Sequence, residues 1–181
     1  MIACWTSLAV AKPPALPAAA DDPVPLSGEH VKIDEVEEHK YMHYAVGRTI
    51  DAPPDVVWLV LTDPLSYPSW NSTVVSLEGA IQPGQRIELV SKIAPKRTFK
   101  LEVTAYEPPR RMVWEDGGKS FRGVRTFLLQ PNAAGGTDFT MKEAFTGSMM
   151  KMIAPKLPDF GADFEVFAKD LETEAERRVS L

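Results

Sequence analysis

The chain reads as an α+β domain, with a curved antiparallel sheet of about seven strands gripped by one long C-terminal helix over a cavity. Three observations predict this layout. A helix start, "DAPPDVVWLVLTD" (51–63), follows the first strand directly. Six segments of strand composition then succeed one another between turn signals. Near the C-terminus, apolar residues recur with helical spacing.

The folded domain is expected over residues 40–181, beginning with "KYMHYAVGRTI" (40–50) as a strand with alternating faces. In the helix after it, Pro53 suits the first turn and Asp55 favours the positive helix end. Val56, Val57, Val60 and Leu61 form an apolar stripe that needs a sheet to pack on. Asp63-Pro64 stops that helix, and "LSYPSW" (65–70) allows at most one more short turn. The meander follows as "TVVSLEG", "QRIELVSKI", "RTFKLEVTAYEPP", "RRMVWED", "FRGVRTFLLQP" and "GTDFTMKEAFTG", with "QPGQ", "EPPRR", "DGGKS" and "PNAAGG" among the turns. "SMMKMIAPKL" (148–157) makes a helical turn or two, broken at Pro155. The closing helix carries Phe160, Phe164, Phe167, Leu171 and Ala175 on one face, with Asp163, Glu165, Glu172 and Glu176 assigned to the other. A single helix cannot fill the concavity of so wide a sheet, so a cavity is expected between them.

Composition narrows the function classes. The 181 residues suffice for one domain with a real core, and 44% apolar and 25% charged residues are ordinary globular usage. A net charge of −5 with no long basic block argues against a nucleic-acid partner. No apolar run is long enough for a transmembrane segment. The lone Cys4 rules out an internal disulfide and a cysteine-based zinc site; His30, His39 and His43 all fall near the N-terminus, and the i, i+4 pair His39 and His43 has no carboxylate at ligand spacing, so no metal is expected. No Gly-rich phosphate loop opens a helix, so no cofactor is expected either. The sequence sets no oligomeric state.

Residues 1–39, Ala/Pro-rich over much of their length, are expected to form a disordered segment outside the domain. "LPAAADD" resembles a signal-peptidase site, and "MIAC" resembles a lipoprotein box ending at Cys4, but no basic region precedes them. A cytoplasmic tail, a secreted form and a membrane tether all stay open for this segment.

"TIDAPPDVVWLVLTDPLSYPSWN", "IQPGQRIEL", "VTAYEPPRRMVWE" and "KEAFTGSMM", in this order, resemble the SRPBCC or START-like superfamily, including its polyketide cyclase/dehydrase-like and lipid-transport branches. The resemblance covers about residues 44–178. It implies a helix-grip fold and a deep, mainly apolar cavity between the sheet and the last helix, but no single reaction. Members commonly follow Trp-Asn with Pro. Here Ser72 stands instead, which is expected to loosen that turn.

Strand alternation selects the candidate cavity residues. One face of the last strand holds Met141, Glu143 and Phe145. The neighbouring strand places Arg125 and Phe127 on one face, so Glu143 and Arg125 are expected to meet inside. A buried carboxylate needs such a partner or a raised pKa. Trp114, Ile87 and Leu89 point the same way, and Met149, Phe160 and Phe164 are expected beside the closing helix. Tyr67 and Asn71 are expected at the cavity entrance, because each offers a hydrogen bond beside apolar surface; Trp70 is expected to wedge helices against sheet or to line the rim. No catalytic constellation is recognisable. The favoured expectation is binding of a small hydrophobic molecule, lipid or polyketide-like. A cyclase or hydratase using Glu143 or Tyr67, and a co-chaperone-like interaction module, stay open.

Overall fold

The computed structural model describes residues 23–180. Eight strands form one antiparallel sheet: β1 (Ser27–Glu35), β2 (Tyr41–Ile50), β3 (Val74–Glu78), β4 (Arg86–Ser91), β5 (Thr98–Glu107), β6 (Arg111–Gly117), β7 (Arg122–Pro131) and β8 (Thr137–Thr146). Their order across the sheet is β1-β2-β8-β7-β6-β5-β4-β3. After β2 the chain crosses to the far edge through α2 (Pro54–Leu61), a 3-10 turn (Pro64–Ser66) and α3 (Tyr67–Trp70). It then meanders back until β8 lies beside β2. A helical turn, α4 (Met150–Ile153), and a 3-10 turn (Ala154–Lys156) precede the long α5 (Gly161–Val179).

The sheet has one strand more than expected, and it comes from the segment assigned to the disordered tail. Ser27–Glu35 pairs with β2 as an edge strand and runs into the short helix α1 (Val36–His39). Its polar composition concealed it, because an edge strand exposes most side chains and is held by backbone hydrogen bonds. Two side-chain bonds also hold it to α5: the backbone N–H of His30 and its Nδ1 reach Glu165 Oε1 at 3.1 and 2.7 Å. The Ala/Pro-rich stretch and Cys4 lie outside the described residues.

The core sits between the concave face of the sheet and the helices. Phe164, Phe167, Leu171 and Ala175 of α5 are all buried against it, as are Val57, Trp58, Val60 and Leu61 of α2. Eight strands spaced about 4.8 Å apart span on the order of 34 Å, whereas a helix with its side chains is about 10–12 Å across. α5 lies over β1, β2 and β8, and α2 and α3 pack beside it. The concave surface of β4 to β7 under the start of α5 is left only partly covered.

Polar bonds fix how α5 lies. Arg48 Nε donates to Glu172 at 2.6 Å, and Glu176 accepts from the backbone of Asp51 at 2.9 Å. Asp170 accepts from both the N–H and the hydroxyl of Ser72, each at 2.7 Å. Ser72 therefore does not loosen its turn. It ties the corner to α5 through a backbone donor that proline lacks.

Candidate functional site

A cavity of about 120 Å³ opens between the start of α5 and strands β4 to β8. At about 30 Å³ per water in the liquid, that is room for roughly four waters. Its inner wall is Trp114, Met141, Phe145, Phe164 and Phe167, all 5% exposed or less. Toward the outside it is bounded by Ile93, Ala94 and Arg97 of the β4–β5 connection, by Phe121, and by Leu157, Pro158 and Phe160 before α5. Those residues are half-buried or exposed, so the mouth lies between these segments. Phe121, Phe145 and Phe160 stack in sequence, with ring centroids 5.8 and 5.5 Å apart, and form one jamb of the opening.

Polar groups gather on one side of this apolar wall. Arg125 and Glu143 are direct cross-strand neighbours, and both Nε and Nη2 of Arg125 donate to Glu143 Oε2, the Nε bond at 2.8 Å. Both side chains are more than four-fifths buried. The guanidinium also lies 5.3 Å from the centre of the Phe164 ring, a cation–π arrangement. Two further carboxyls face the same arginine: Asp116 from β6 and Asp163 from the first turn of α5. Burial pushes the Asp116 carboxyl above its ordinary range and the charge of Glu143 adds to the rise; Arg97, the backbone N–H of Gly123 and Arg125 oppose it. Burial likewise raises Asp163, against the pull of Arg125. Gly123 makes the approach of Asp116 possible, since a Cβ there would lie 2.6 Å from Asp116 Oδ1. Trp114 adds a buried indole N–H with no hydrogen-bond partner among the described residues.

Of the residues singled out from sequence, Leu89, Trp114, Arg125, Met141, Glu143, Phe145, Phe160 and Phe164 line the cavity. The others do not. Tyr67 is fully buried, its hydroxyl donates to the Leu61 carbonyl at 2.8 Å, and burial pushes its phenol far above the usual range. It is no entrance residue, because its hydroxyl is spent on the chain itself. Asn71 is 1% exposed and its Oδ1 accepts from the N–H and hydroxyl of Thr73 at 3.0 and 2.7 Å, closing a local turn. Trp70 packs on Tyr67 and Phe167, with centroids 4.7 and 5.8 Å away, and is a wedge in the core. Ile87 and Phe127 point inward but are wholly buried beneath the cavity wall. Met149 lies outside the cavity and is 40% exposed.

Two lining carboxyls escaped the sequence reading, although their signals were present. Asp116 is two residues from Trp114 on the same strand and so shares its face. Asp163 was assigned to the outer face of the last helix. Yet it is three residues from Phe160 and four from Phe167, which puts it at the margin of the apolar stripe. Among the described residues no cluster of three His, Cys, Asp or Glu is arranged to hold a metal ion, and no helix is long and apolar enough to cross a membrane.

The family model for polyketide cyclase/dehydrase and lipid transport matches residues 41–177. The chain belongs to that family. Family membership extends over the sheet from β2 onward, the cavity and almost all of α5, and leaves β1 outside the match. Solved structures share the fold at low identity. The Zhui aromatase/cyclase from Streptomyces sp. R1128 is 18% identical with a TM-score of 0.59, over 77% of this chain and 96% of that one. A START superfamily protein from Mycobacterium smegmatis is 17% identical with a TM-score of 0.56, over 75% and 98%. A protein of unknown function from Staphylococcus aureus is 12% identical with a TM-score of 0.60, over 80% and 99%. No curated protein matches the sequence.

Proposed function

We propose that this family member binds a small hydrophobic molecule in the cavity, with its polar end against the Arg125 cluster. The observation that carries the reading is the composition of the wall: a continuous aromatic and aliphatic surface with one localised set of charged groups. Apolar contact then drives affinity, and the few polar groups orient the ligand. The cluster favours a ligand end that donates hydrogen bonds. The carboxyls of Asp116 and Asp163 line the cavity beside it, whereas two donors of Arg125, Nε and Nη2, are already committed to Glu143.

A second reading rests on the same cluster. Two carboxyls raised above their ordinary range beside an arginine are a chemically reasonable proton donor and acceptor, which keeps a cyclase- or hydratase-type reaction in view. Arg125→Met and the double variant Arg125→Met/Glu143→Leu test the primary reading. The single variant strands a mostly buried carboxylate and is expected to lose about 3 kcal/mol in urea unfolding, while the double variant recovers most of it. Small molecules extracted from freshly purified protein and identified by mass spectrometry should include one hydrophobic compound. The double variant should retain it at least tenfold more weakly. A stable double variant with unchanged retention would remove the polar cluster from recognition. Absence of any extracted compound, together with no binding of an apolar fluorescent probe, would overturn cavity binding itself.

A further inference from the structure

The connections around the cavity mouth carry charge opposite in sign to the rest of the protein. Three segments bound that end: residues 92–97 between β4 and β5, 118–121 between β6 and β7, and 147–160 between β8 and α5. They contain Lys92, Lys96, Arg97, Lys119, Lys151 and Lys156 against one acid, Asp159. These are six of the 20 Lys and Arg and one of the 25 Asp and Glu, so the rim carries +5 and the rest of the chain −10. All six basic residues are exposed. Among the described residues Lys151 pairs with Glu37 of α1 at 2.8 Å and Arg97 faces the Asp116 carboxyl, the other four make no ion pair, and the rim's one acid lies 3.9 Å from Lys32.

The rim is built, not loose. Lys92 N–H donates to the Thr73 carbonyl at 2.9 Å and Arg97 N–H to the Ala94 carbonyl at 3.0 Å. The 118–121 turn accepts from Ser148 and Met149 at 3.2 and 2.9 Å, which joins it to the segment before α5. Amid the basic residues, Met149 and Met152 present apolar side chains that are 40% and 52% exposed, and half-buried Leu157 continues that surface into the cavity. A soluble polyanion would use the charge and leave both thioethers in water. An anionic lipid surface uses both, because headgroups attract the lysines while flexible apolar side chains enter the headgroup boundary.

We propose that this rim docks the open end of the cavity onto an anionic bilayer surface. The docking stands apart from the ligand reading. What rests on that reading is its use, namely exchange of an apolar molecule between lipid and cavity without passage through water.

Sedimentation of the full chain with vesicles tests the docking. Vesicles of phosphatidylcholine containing about 30% phosphatidylglycerol should bind the protein, pure phosphatidylcholine should not, and about 0.5 M salt should release it. Lys92→Gln/Lys96→Gln should weaken binding roughly 25-fold, at about fivefold per cation. Arg86→Gln/Arg110→Gln, exposed at the opposite ends of these strands, should leave it unchanged. Met149→Ser/Met152→Ser should weaken it severalfold without altering salt dependence. Equal binding to both vesicle types, or none to either, would overturn the proposal. So would full binding by the methionine variant, which would mark a site for a soluble polyanion. Retention of the cavity ligand is read separately by extraction, so docking and ligand binding fail independently.

Discussion

The corner at residues 63–72 and the cavity wall at the start of α5 are both built from aromatic rings with polar groups set among them. They differ in where the polar atoms are satisfied. In the corner, the Tyr67 hydroxyl bonds Leu61, Asn71 Oδ1 bonds Thr73, and Ser72 bonds Asp170. Of the buried side-chain polar atoms described there, only the Trp70 indole N–H and Asn71 Nδ2 lack a partner. At the cavity, Asp116 and Asp163 line open space near Arg125, Asp116 takes only the Gly123 N–H and the nearby charge of Arg97 besides, and burial raises both. Aromatic and polar composition therefore does not distinguish a site from a joint. The distinction lies in whether the polar groups are spent on the chain itself or left for something else.

Three perturbations sharpen this contrast. The largest effect is expected at the corner. Tyr67→Ala removes a fully buried ring and should cost about 3–5 kcal/mol in urea unfolding. Probe affinity of the remaining folded fraction should be unchanged, and a loss below about 1 kcal/mol would mean that the corner is no joint.

A smaller effect, about 1 kcal/mol, is expected from Ser72→Pro, which deletes both donors to Asp170. Combining it with Asp170→Ala should cost little more than either change alone. Full additivity in that cycle would show that the contact does not hold α5.

The smallest effect is a pH slope at the cavity. A carboxyl whose folded pKa is raised is penalised once ionised, so stability is lost as pH rises from about 4 through the raised values of Asp116 and Asp163. Asp116→Asn removes part of that penalty and should flatten the fall in stability, measured by denaturation midpoints across this window. A slope identical to that of the parent chain would show that Asp116 is solvated and not poised for a ligand.

Much of the fold was legible because it rests on short-range patterns. Strand alternation, the Asp63-Pro64 stop and the Phe160–Phe164–Phe167–Leu171 spacing each act within a few residues. The Arg125–Glu143 pair was legible for the same reason, since two consecutive strands with one turn between them set their own register. β1 was not legible. Its place depends on an edge of β2 that exists only after folding, and its polar sequence carries no burial signal.

The sequence by itself determined the α+β layout, the closing helix, the family, and the paired charged residues Arg125 and Glu143 of the cavity wall. Tertiary structure alone decided that Tyr67 and Asn71 face inward as parts of a joint, that Ser72 strengthens its turn, and that Asp116 and Asp163 join Arg125 from two other elements. The reason is physical. Periodicity tells which face of an element is apolar, but the partner available to a polar group depends on elements distant in the chain, and only their packing brings them within hydrogen-bond reach.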